Sequence, residues 1–252
     1  RVVASKFKKE KVYATLNGYR FDDFTPYVYM SDDYGQTWKN IGNSIPTSAV
    51  NVIKEDSENE NVLYLGTDNG LYVSLNSGSS WNSFSKNLPN VAMHDLVIQP
   101  TAKHLIVGTH GRSLYRANIA ALQEMTADVL SKTTHIFNID NIKKSRNWGR
   151  SWSQWRDAYS PSITIPFYVN ADKKVNVNIY KGDVKVNSIS VDADKGFNEL
   201  SFDLSFSKKG KKAYLKENKK KKVNAGQNGV FYLPKGKYTV KIDDAKEKFS
   251  IK

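Results

Sequence analysis

The first half of the chain consists of short apolar runs, rich in Val, Ile, Tyr and Trp, separated by clusters of Gly, Asn, Asp and Pro. Runs of this length between turn residues are typical of β-strands. The predicted strands form three groups. They cover residues 2–7, 12–16, 27–31 and 38–41, then 50–55, 62–66, 71–74 and 81–84, and then 95–99, 105–108 and 114–117.

The three groups are copies of one repeat. An octapeptide that begins at Ser31 recurs at Ser74, 43 residues later, and Ile45-Pro46 recurs at Leu88-Pro89 with the same offset. A period near 40 to 45 residues with four short strands per unit is the signature of a β-propeller. We therefore predict an all-β chain that begins with a partial β-propeller, made of two full four-stranded blades and an incomplete third.

The third group stops after three strands, because a helix-like stretch runs from Ile119 to about Leu130. Ring propellers usually close by pairing a strand from one terminus with the last blade. The missing fourth strand therefore predicts further sequence upstream of Arg1. The chain also lacks an initial Met and a signal peptide, so we interpret residue 1 as a boundary inside a longer protein.

The repeated octapeptide S-x-D-x-G-x-x-W has a local structural chemistry. We expect the acid or amide side chain to accept backbone N–H groups in a tight hairpin, the Gly to take a positive φ, and the Trp to pack between neighbouring sheets. Asn replaces Asp in the second copy, and its amide oxygen can partly imitate the carboxylate. The structural positions are Ser31, Asp33, Gly35 and Trp38, and then Ser74, Asn76, Gly78 and Trp81.

This octapeptide resembles the Asp-box, or BNR, repeat of a propeller superfamily that includes sialidases, xyloglucan-cleaving hydrolases and sortilin-type receptors. The runs GYRFDDFTPYVYMSDDYGQTW, VLYLGTDNGLYVS and HLIVGTHGRSLYRANI are similar to the last blades of bacterial sortilin-like proteins. The resemblance covers roughly residues 1–137. It implies that the Asp-box is a structural motif, so Asp33 is not expected to be catalytic.

A second all-β region follows. Its predicted strands cover residues 163–169, 175–180, 184–191, 199–206, 229–233, 237–242 and 248–251, and about seven short strands of this kind indicate a β-sandwich. The phrases KVNVNIY and LPKGKYTV resemble immunoglobulin-like modules of bacterial secreted proteins. We predict propeller blades over residues 1–118, a helical and Trp-rich linker over 119–161, and an immunoglobulin-like sandwich over 162–252.

Within the predicted linker, residues 146–156 carry three tryptophans, Trp148, Trp152 and Trp155, with interleaved arginines. Such a segment can form a stacking platform for sugars or bases. Alternatively, the rings fasten the linker to the flank of the propeller. We favour the second interpretation, because three exposed tryptophans on a flexible linker would promote aggregation.

The net charge of the chain is +13, and residues 208–222 contribute nine lysines against the single acid Glu217. We predict a solvated, mobile hairpin or loop here, with an acidic partner such as an anionic glycan, a lipid head group or nucleic acid as the alternative. No specific nucleic-acid partner is expected. The chain has no cysteine, which excludes disulfides and thiol catalysis, and it has no apolar run long enough for membrane insertion.

Ligand-binding residues are expected on one face of the blades, where the connections after the second strand and between blades emerge. The longest of these connections, residues 18–26, carries an arginine, paired acids and aromatic residues, and an internal Arg–Asp pair is the alternative explanation of that composition. The candidates are Arg20, Asp22, Asp23, Asp68, Asn69, His94, His110 and Arg112.

We predict no catalytic residue, cofactor or metal site. Hydrolysis of a glycoside needs two carboxylates facing one bond, and the spacing of Asp22, Asp23, Asp68 and Asp95 singles out no pair. The four histidines lack metal-ligand spacing. The leading hypothesis is an exported bacterial protein, secreted, periplasmic or at the cell surface, that binds a peptide or glycan together with the N-terminal remainder of its propeller. The alternative is part of a glycoside hydrolase whose acids lie mainly upstream.

Overall fold

A computed structural model describes residues 1–220 and 222–252 of the chain. The protein divides into two compact units, Arg1–Thr126 and Ala127–Lys252. Both units are built from antiparallel sheets, with a few short helices. The predicted fold class, a partial β-propeller followed by a β-sandwich, is confirmed.

The first unit contains three sheets in chain order. The first two have four strands each and the third has three, with neighbouring strands adjacent in sequence. The strands are β1 (Val2–Ala4), β2 (Val12–Gly18), β3 (Asp23–Ser31) and β4 (Lys39–Asn40); β5 (Val50–Glu55), β6 (Leu63–Thr67), β7 (Gly70–Ser74) and β8 (Asn82–Ser83); and β9 (Met93–Gln99), β10 (His104–Thr109) and β11 (Leu114–Asn118).

One predicted connection is much shorter than expected. Residues 18–26 were expected to form the longest loop, but β2 continues to Gly18 and β3 already begins at Asp23. A single 3₁₀ turn, Tyr19–Phe21, and Asp22 join the two strands. The turn residues lie at the tip of a long hairpin because β-branched and aromatic residues before Ser31 extend the pairing beyond the predicted strand.

The first two sheets share one apolar core. Tyr13 and Val28 of the first sheet and Leu63 and Leu65 of the second are fully buried in it. The third sheet approaches the second closely at Gly66, where an added Cβ would lie 2.8 Å from the carbonyl oxygen of Met93. Glycine at this position therefore allows two sheets to pack with almost no space between their backbones.

A short helix follows the third sheet, as the sequence predicted. This helix, α1 (Ala120–Gln123), is fixed to the connection after β5 by buried polar groups. The Asn59 amide donates to the carbonyl oxygens of Gln123 and Met125 at 3.2 and 3.1 Å, and the Gln123 amide donates to the Asp56 carboxylate at 3.2 Å. The chain therefore leaves the third sheet without adding a fourth strand to it.

The second unit is a sandwich of two sheets, preceded by α2 (Ala127–Ser131). One sheet has the order β12 (Thr134–Ile136), β13 (Ile163–Val169) and β16 (Gly196–Phe202). The other has the order β15 (Val184–Ala193), β14 (Lys173–Lys181), β17 (Gly236–Ile242) and β18 (Ala245–Ile251). Alternate apolar residues from both sheets, such as Phe167 and Val177, fill a single core.

Two strand predictions in this unit were wrong. Residues 229–233 form no strand, and only an isolated bridge joins Tyr232 to Ser205. The predicted strand 199–206 ends at Phe202. The aromatic residues that suggested strands pack instead as parts of irregular segments: Tyr232 and Phe206 are both buried in the sandwich core.

The lysine-rich segment was expected to be a mobile hairpin or loop, and this prediction was wrong. Residues Lys208–Glu217 form a helix, α3, that packs on β15. The Ser207 hydroxyl caps the helix by accepting the Gly210 N–H at 3.0 Å, and Tyr214 is buried. Only Gly fits at position 210, because a Cβ there would overlap the Val186 carbonyl. Lys221, which belongs to the predicted segment, lies outside the described residues.

The three tryptophans of the predicted linker have different environments. Trp148 is buried in the core of the second unit, whereas Trp152 and Trp155 are 81% and 86% exposed. The expectation that the rings fasten the linker to the flank of the propeller was therefore wrong, because two rings are exposed and Trp148 packs in the second unit. Across the described residues, no helix combines the length and the apolar composition that a bilayer crossing requires.

Candidate functional site

Strand pairing places three polar residues at equivalent positions in the three sheets of the first unit. Val2 pairs with Ala14, Val52 with Gly66, and Asp95 with Gly108. Val2, Val52 and Asp95 each lie on the first strand of their sheet, and the residues just before them are Arg1, Asn51 and His94. The repeat therefore presents three different polar side chains from one backbone position.

Arg1 links the first sheet to the third. Its guanidinium donates to Asp95 Oδ1 at 2.6 Å and to the His94 carbonyl oxygen at 2.8 Å. The Arg1 and Asp95 side chains remain 49% and 56% exposed. A solvated pair of this kind contributes little to stability, so both groups are available to an incoming ligand.

Asn51 links the first and second sheets. Its side-chain oxygen accepts from the Asn17 amide at 2.6 Å, and its own amide donates to Asp68 Oδ1 at 2.8 Å. Asn17 lies near the end of β2 and Asp68 follows β6. Residues at the ends of the second strands, β2 and β6, therefore contribute to the same polar surface as the residues near the start of the first strand of each sheet.

The third sheet adds two histidines. The rings of His94 and His110 meet edge to face with centroids 5.3 Å apart, and both residues are exposed. Backbone hydrogen bonds from His110 to Ala92 and from Asp68 to Ala49 show that His110 and Asp68 occupy equivalent positions. We call this set the end-face cluster; its members are Arg1, Asn17, Asn51, Asp68, His94, Asp95 and His110.

The β2–β3 hairpin tip has its own contacts. Arg20 donates to the Tyr19 hydroxyl at 3.2 Å, and within the described chain it forms no ion pair with Asp22 or Asp23. The internal Arg–Asp pair considered from the sequence is therefore not formed. The Tyr27 hydroxyl and the Thr25 backbone N–H donate to Asp23 and lower the pKa of its carboxyl group.

The remaining predicted candidates stand apart from these contacts. Asp22 takes a left-handed conformation, with φ of 58°, at the end of the 3₁₀ turn. Asn69 is exposed in the β6–β7 turn, where its backbone N–H donates to the Thr67 hydroxyl at 3.2 Å. Arg112 is exposed in the β10–β11 loop. The hairpin tip also exposes Phe21, whose accessibility is 88%.

The Asp-box residues form the predicted turns. Asp33 accepts hydrogen bonds from the Ser31 hydroxyl at 2.7 Å, from the Thr37 backbone N–H at 2.9 Å and from the Thr37 hydroxyl. These donors, led by the Thr37 hydroxyl, lower the pKa of Asp33 to about 2. Gly35 has a φ of 87°. Asp33 is thus held as an acceptor inside its own turn.

The second copy reproduces this network with an amide. Asn76 accepts from the Ser74 hydroxyl at 3.0 Å and from the Ser80 backbone N–H at 2.9 Å, and Gly78 has a φ of 85°. The two tryptophans differ, however. Trp81 is buried between sheets as expected, but Trp38 is 44% exposed and donates to Gly35 of its own turn. The expectation that both rings pack between sheets was therefore wrong for Trp38.

Two carboxyl groups of the first unit have a displaced pKa. Hydrogen-bond donors lower the pKa of the carboxyl groups of Asp23 and Asp33. A glycosidase acid requires the opposite displacement. No group of three or more His, Asp or Glu side chains in residues 1–220 and 222–252 is placed to hold a metal ion.

Comparisons with known proteins give partial matches. A sequence model of the family described as sortilin, neurotensin receptor 3 (Sortilin-Vps10) matches residues 26–139. No curated protein matches the chain.

Three solved structures are similar in part. An ancestral GH74 enzyme has 25% identity and a TM-score of 0.38 over 44% of this chain and 13% of its own. The GH74 xyloglucanase from Xanthomonas campestris has 10% identity and a TM-score of 0.39 over 99% and 38%. YCF48 bound to D1 peptide has 11% identity and a TM-score of 0.29 over 96% and 64%. The chain thus spans less than two thirds of each of these proteins.

Sequence reasoning overlooked four members of the end-face cluster as binding candidates. Arg1, Asn17 and Asn51 were not considered, and Asp95 was considered only as a catalytic acid. One sequence signal for Asn51 and Asp95 is the recurrence of Leu65-Gly66-Thr67 as Val107-Gly108-Thr109, since these Gly-Thr phrases mark equivalent positions in the second and third sheets.

Proposed function

We propose that this chain is the C-terminal part of an exported bacterial propeller protein that binds a peptide or a glycan through the end-face cluster. In this proposal, residues 1–118 carry the recognition surface, residues 119–161 begin as the connecting segment, and residues 162–252, together with β12 and Trp148 from that segment, form an immunoglobulin-like supporting module. The chain itself catalyses no reaction. The compact units divide within the proposed connecting segment, after Thr126.

The observation that carries this proposal is the mixed polar character of the end-face cluster. Two carboxylates, a guanidinium, two amides and paired imidazoles lie there, and most of them are exposed. Hydroxyl groups of sugars and amide groups of peptides need donors and acceptors placed side by side. The exposed rings of Phe21 and Tyr19 at the hairpin tip supply apolar surface on the same unit.

A binding screen tests the proposal. The whole chain is screened against glycan and peptide arrays, and the affinity of each hit is measured by calorimetry for the chain and for a His94→Ala/His110→Ala variant. We expect the double variant to weaken binding at least tenfold. His104→Ala is the matched control, because His104 lies at the opposite end of β10 from His110, and it should leave the affinity unchanged.

Two outcomes would overturn the proposal. One is the absence of any peptide or glycan ligand, or a ligand whose affinity is the same for all variants. The other is hydrolysis of xyloglucan or sialosides by the chain that is lost in an Asp22→Asn/Asp23→Asn variant, which would support the alternative that the protein is a glycoside hydrolase.

The proposed partner of the first sheet is a further blade of the same propeller. Trp38 carries the argument, because the equivalent Trp81 is buried against a preceding sheet while Trp38 is exposed. Hydroxyl-radical footprinting of this chain and of a version extended at the N-terminus would measure the accessibility of Trp38. Protection of Trp38 only in the longer version is expected, and equal labelling would contradict this partner.

A further inference from the structure

The second unit contains a cavity of about 380 Å³ with a cationic lining. Three positively charged residues, Lys144, Arg146 and Arg150, face this space together with the aromatic residues Trp148 and Tyr232. Among the described residues, no Asp or Glu lines it. Like charges gathered around one cavity repel each other, and an anion placed between them removes that repulsion. We call this space the cationic cavity.

The wall of the cationic cavity is well packed. Trp148 is 6% exposed, and its ring meets that of Tyr232 with centroids 6.0 Å apart. Lys144 Nζ donates to the Leu233 carbonyl oxygen at 2.6 Å and lies 4.8 Å from the centre of the Trp148 ring. A Cβ at Gly149 would come within 2.9 Å of Gly226 and Tyr232, so the two backbone segments touch.

The charges of the cavity have no acidic partners. Within residues 1–220 and 222–252, the ion pairs include none of Lys144, Arg146 and Arg150. Burial lowers the pKa of Lys144, which shows that its ammonium group is partly removed from water. A partly desolvated ammonium group without a carboxylate partner binds an anion more strongly than a solvated surface lysine does, and the exposed guanidinium groups of Arg146 and Arg150 line the same space.

A loop with two exposed indoles is attached to the cavity. The Ser151 N–H donates to Gln227, which lines the cavity, at 3.0 Å. At the far end of the loop, Tyr159 exchanges backbone hydrogen bonds with Gly149 and Arg150 at 2.8 and 2.9 Å. The Ser151 hydroxyl also contacts the carbonyl oxygens of Ser153 and Arg156. The loop is therefore tied at both ends beside the cationic residues.

The indoles of Trp152 and Trp155, 81% and 86% exposed, lie within this tied loop. Exposed aromatic rings on a loop whose ends are fixed favour a binding role, because an unoccupied apolar surface costs free energy in water. Indole faces stack on the C–H surface of sugar rings. The loop has one carboxylate, Asp157, which forms no ion pair within the described chain.

We propose that the cationic cavity and this loop bind an acidic oligosaccharide. The carboxylate of one sugar lies against Lys144, Arg146 and Arg150, and neighbouring sugar rings stack on Trp152 and Trp155. The size of the cavity supports a carbohydrate over a nucleic acid, because a space of about 380 Å³ accommodates a single charged ring. A single-stranded nucleic acid instead needs a cationic groove that follows several phosphates.

The test uses the whole chain and defined probes. Binding of an oligogalacturonide and of sialyllactose, which distinguish uronic from sialic acids, is measured by calorimetry beside a neutral maltohexaose and a single-stranded oligonucleotide. We expect one acidic saccharide to bind at least tenfold more tightly than the neutral one. Arg146→Ala/Arg150→Ala and Trp152→Ala/Trp155→Ala should each reduce that affinity at least tenfold.

Matched controls keep the test specific. Lys237→Ala removes an exposed charge from β17 of the same unit, and Trp38→Ala removes an exposed indole from the first unit; neither should change the affinity. Thermal melting establishes that each variant is folded. Absence of acidic-saccharide binding, equal binding of the neutral probe, or preference for the oligonucleotide would overturn the proposal. Because the two double variants lie in the second unit, this result is independent of binding at the end-face cluster.

Discussion

The indole Nε1 of Trp81 donates a hydrogen bond to the carbonyl oxygen of Ile41 at 2.7 Å, and this bond joins the second Asp-box to the end of the first sheet. Gly78 of the same turn lies so close to Ile41 that a Cβ would be 2.7 Å from its side chain. Gly35 of the first Asp-box meets only its own Trp38. The two copies of the octapeptide therefore have different energetic roles, because only the second packs against a preceding sheet of this chain.

The first prediction concerns this difference. Trp81→Phe retains most of the apolar ring but leaves the Ile41 carbonyl without its donor, so we expect it to lower the free energy of unfolding by about 1–2 kcal/mol. Trp38→Phe should change it by less than about 0.5 kcal/mol, because Trp38 is 44% exposed. Urea denaturation of the two variants measures both values, and equal losses would contradict the assigned roles.

The second prediction concerns acid stability. Hydrogen bonds lower the pKa of Asp33 from its ordinary value of 3.8 to about 2. The stabilisation from its ionised form is thus complete above pH 3.8 and is lost as the pH falls towards 2. Asn at this position does not titrate, so the difference in unfolding free energy between the natural chain and Asp33→Asn should shrink between pH 5 and pH 2.

The second Asp-box provides the control for that prediction. Asn76 already makes the equivalent hydrogen bonds without a charge. Asn76→Asp should therefore introduce an additional loss of stability in the same acidic range. Parallel pH profiles for the natural chain and both variants would show that the carboxylate does not titrate as its contacts require.

The blades could be predicted because their signals are local. Strand runs, the Ser-Asp-Gly-Trp spacing and the Gly-Thr phrases each occupy a few neighbouring residues, and the turns formed as expected at Asp33 and Asn76. The helix α3 was missed because the many lysines of its sequence favoured the prediction of a solvated loop. Its determinants are instead the Ser207 cap and the packing of Gly210 and Tyr214, which depend on β15 far away in sequence.

The candidate site was less accessible to sequence reasoning. The contact between Arg1 and Asp95 joins residues 94 positions apart, and the sequence around either residue contains no motif that predicts it. Loop composition drew attention to Arg20 and Asp22, whose side chains lie on a hairpin tip. Register between strands decides which polar residues meet at the end of a propeller, and a slip of one residue would exchange them for others.

The third prediction concerns α3. Lys208, Lys212 and Lys216 are exposed and lie four residues apart on one side of the helix, where like charges destabilise it. Lys212→Glu should replace two repulsions with two attractions and raise the free energy of unfolding by about 0.5–1 kcal/mol. Lys212→Gln, which has similar helix propensity and only removes repulsion, should give a smaller increase. A loss of stability in Lys212→Glu would contradict the helical assignment.

The fourth prediction concerns a buried carboxylate that connects the first two sheets. Glu55 accepts hydrogen bonds from the Ser5 hydroxyl at 2.8 Å, from the Lys6 N–H at 2.8 Å and from the Tyr13 hydroxyl at 3.1 Å. Tyr13→Phe removes one donor from a charged acceptor and should lower the free energy of unfolding by about 1.5–3 kcal/mol. Tyr34→Phe, at a residue 71% exposed, should have almost no effect.

The same tyrosine predicts how stability responds to alkaline pH. Burial, and then the charge of Glu55, raise the pKa of Tyr13 above its ordinary value of 10.0. The unfolded chain therefore loses the proton before the folded chain does, and the contribution of Tyr13 to stability is complete below pH 10 and decreases above it. Urea unfolding at pH 8, 10 and 11 should show a steeper decline for the natural chain than for Tyr13→Phe. Equal slopes would mean that the hydroxyl titrates freely and that the connection between the sheets through Glu55 does not form.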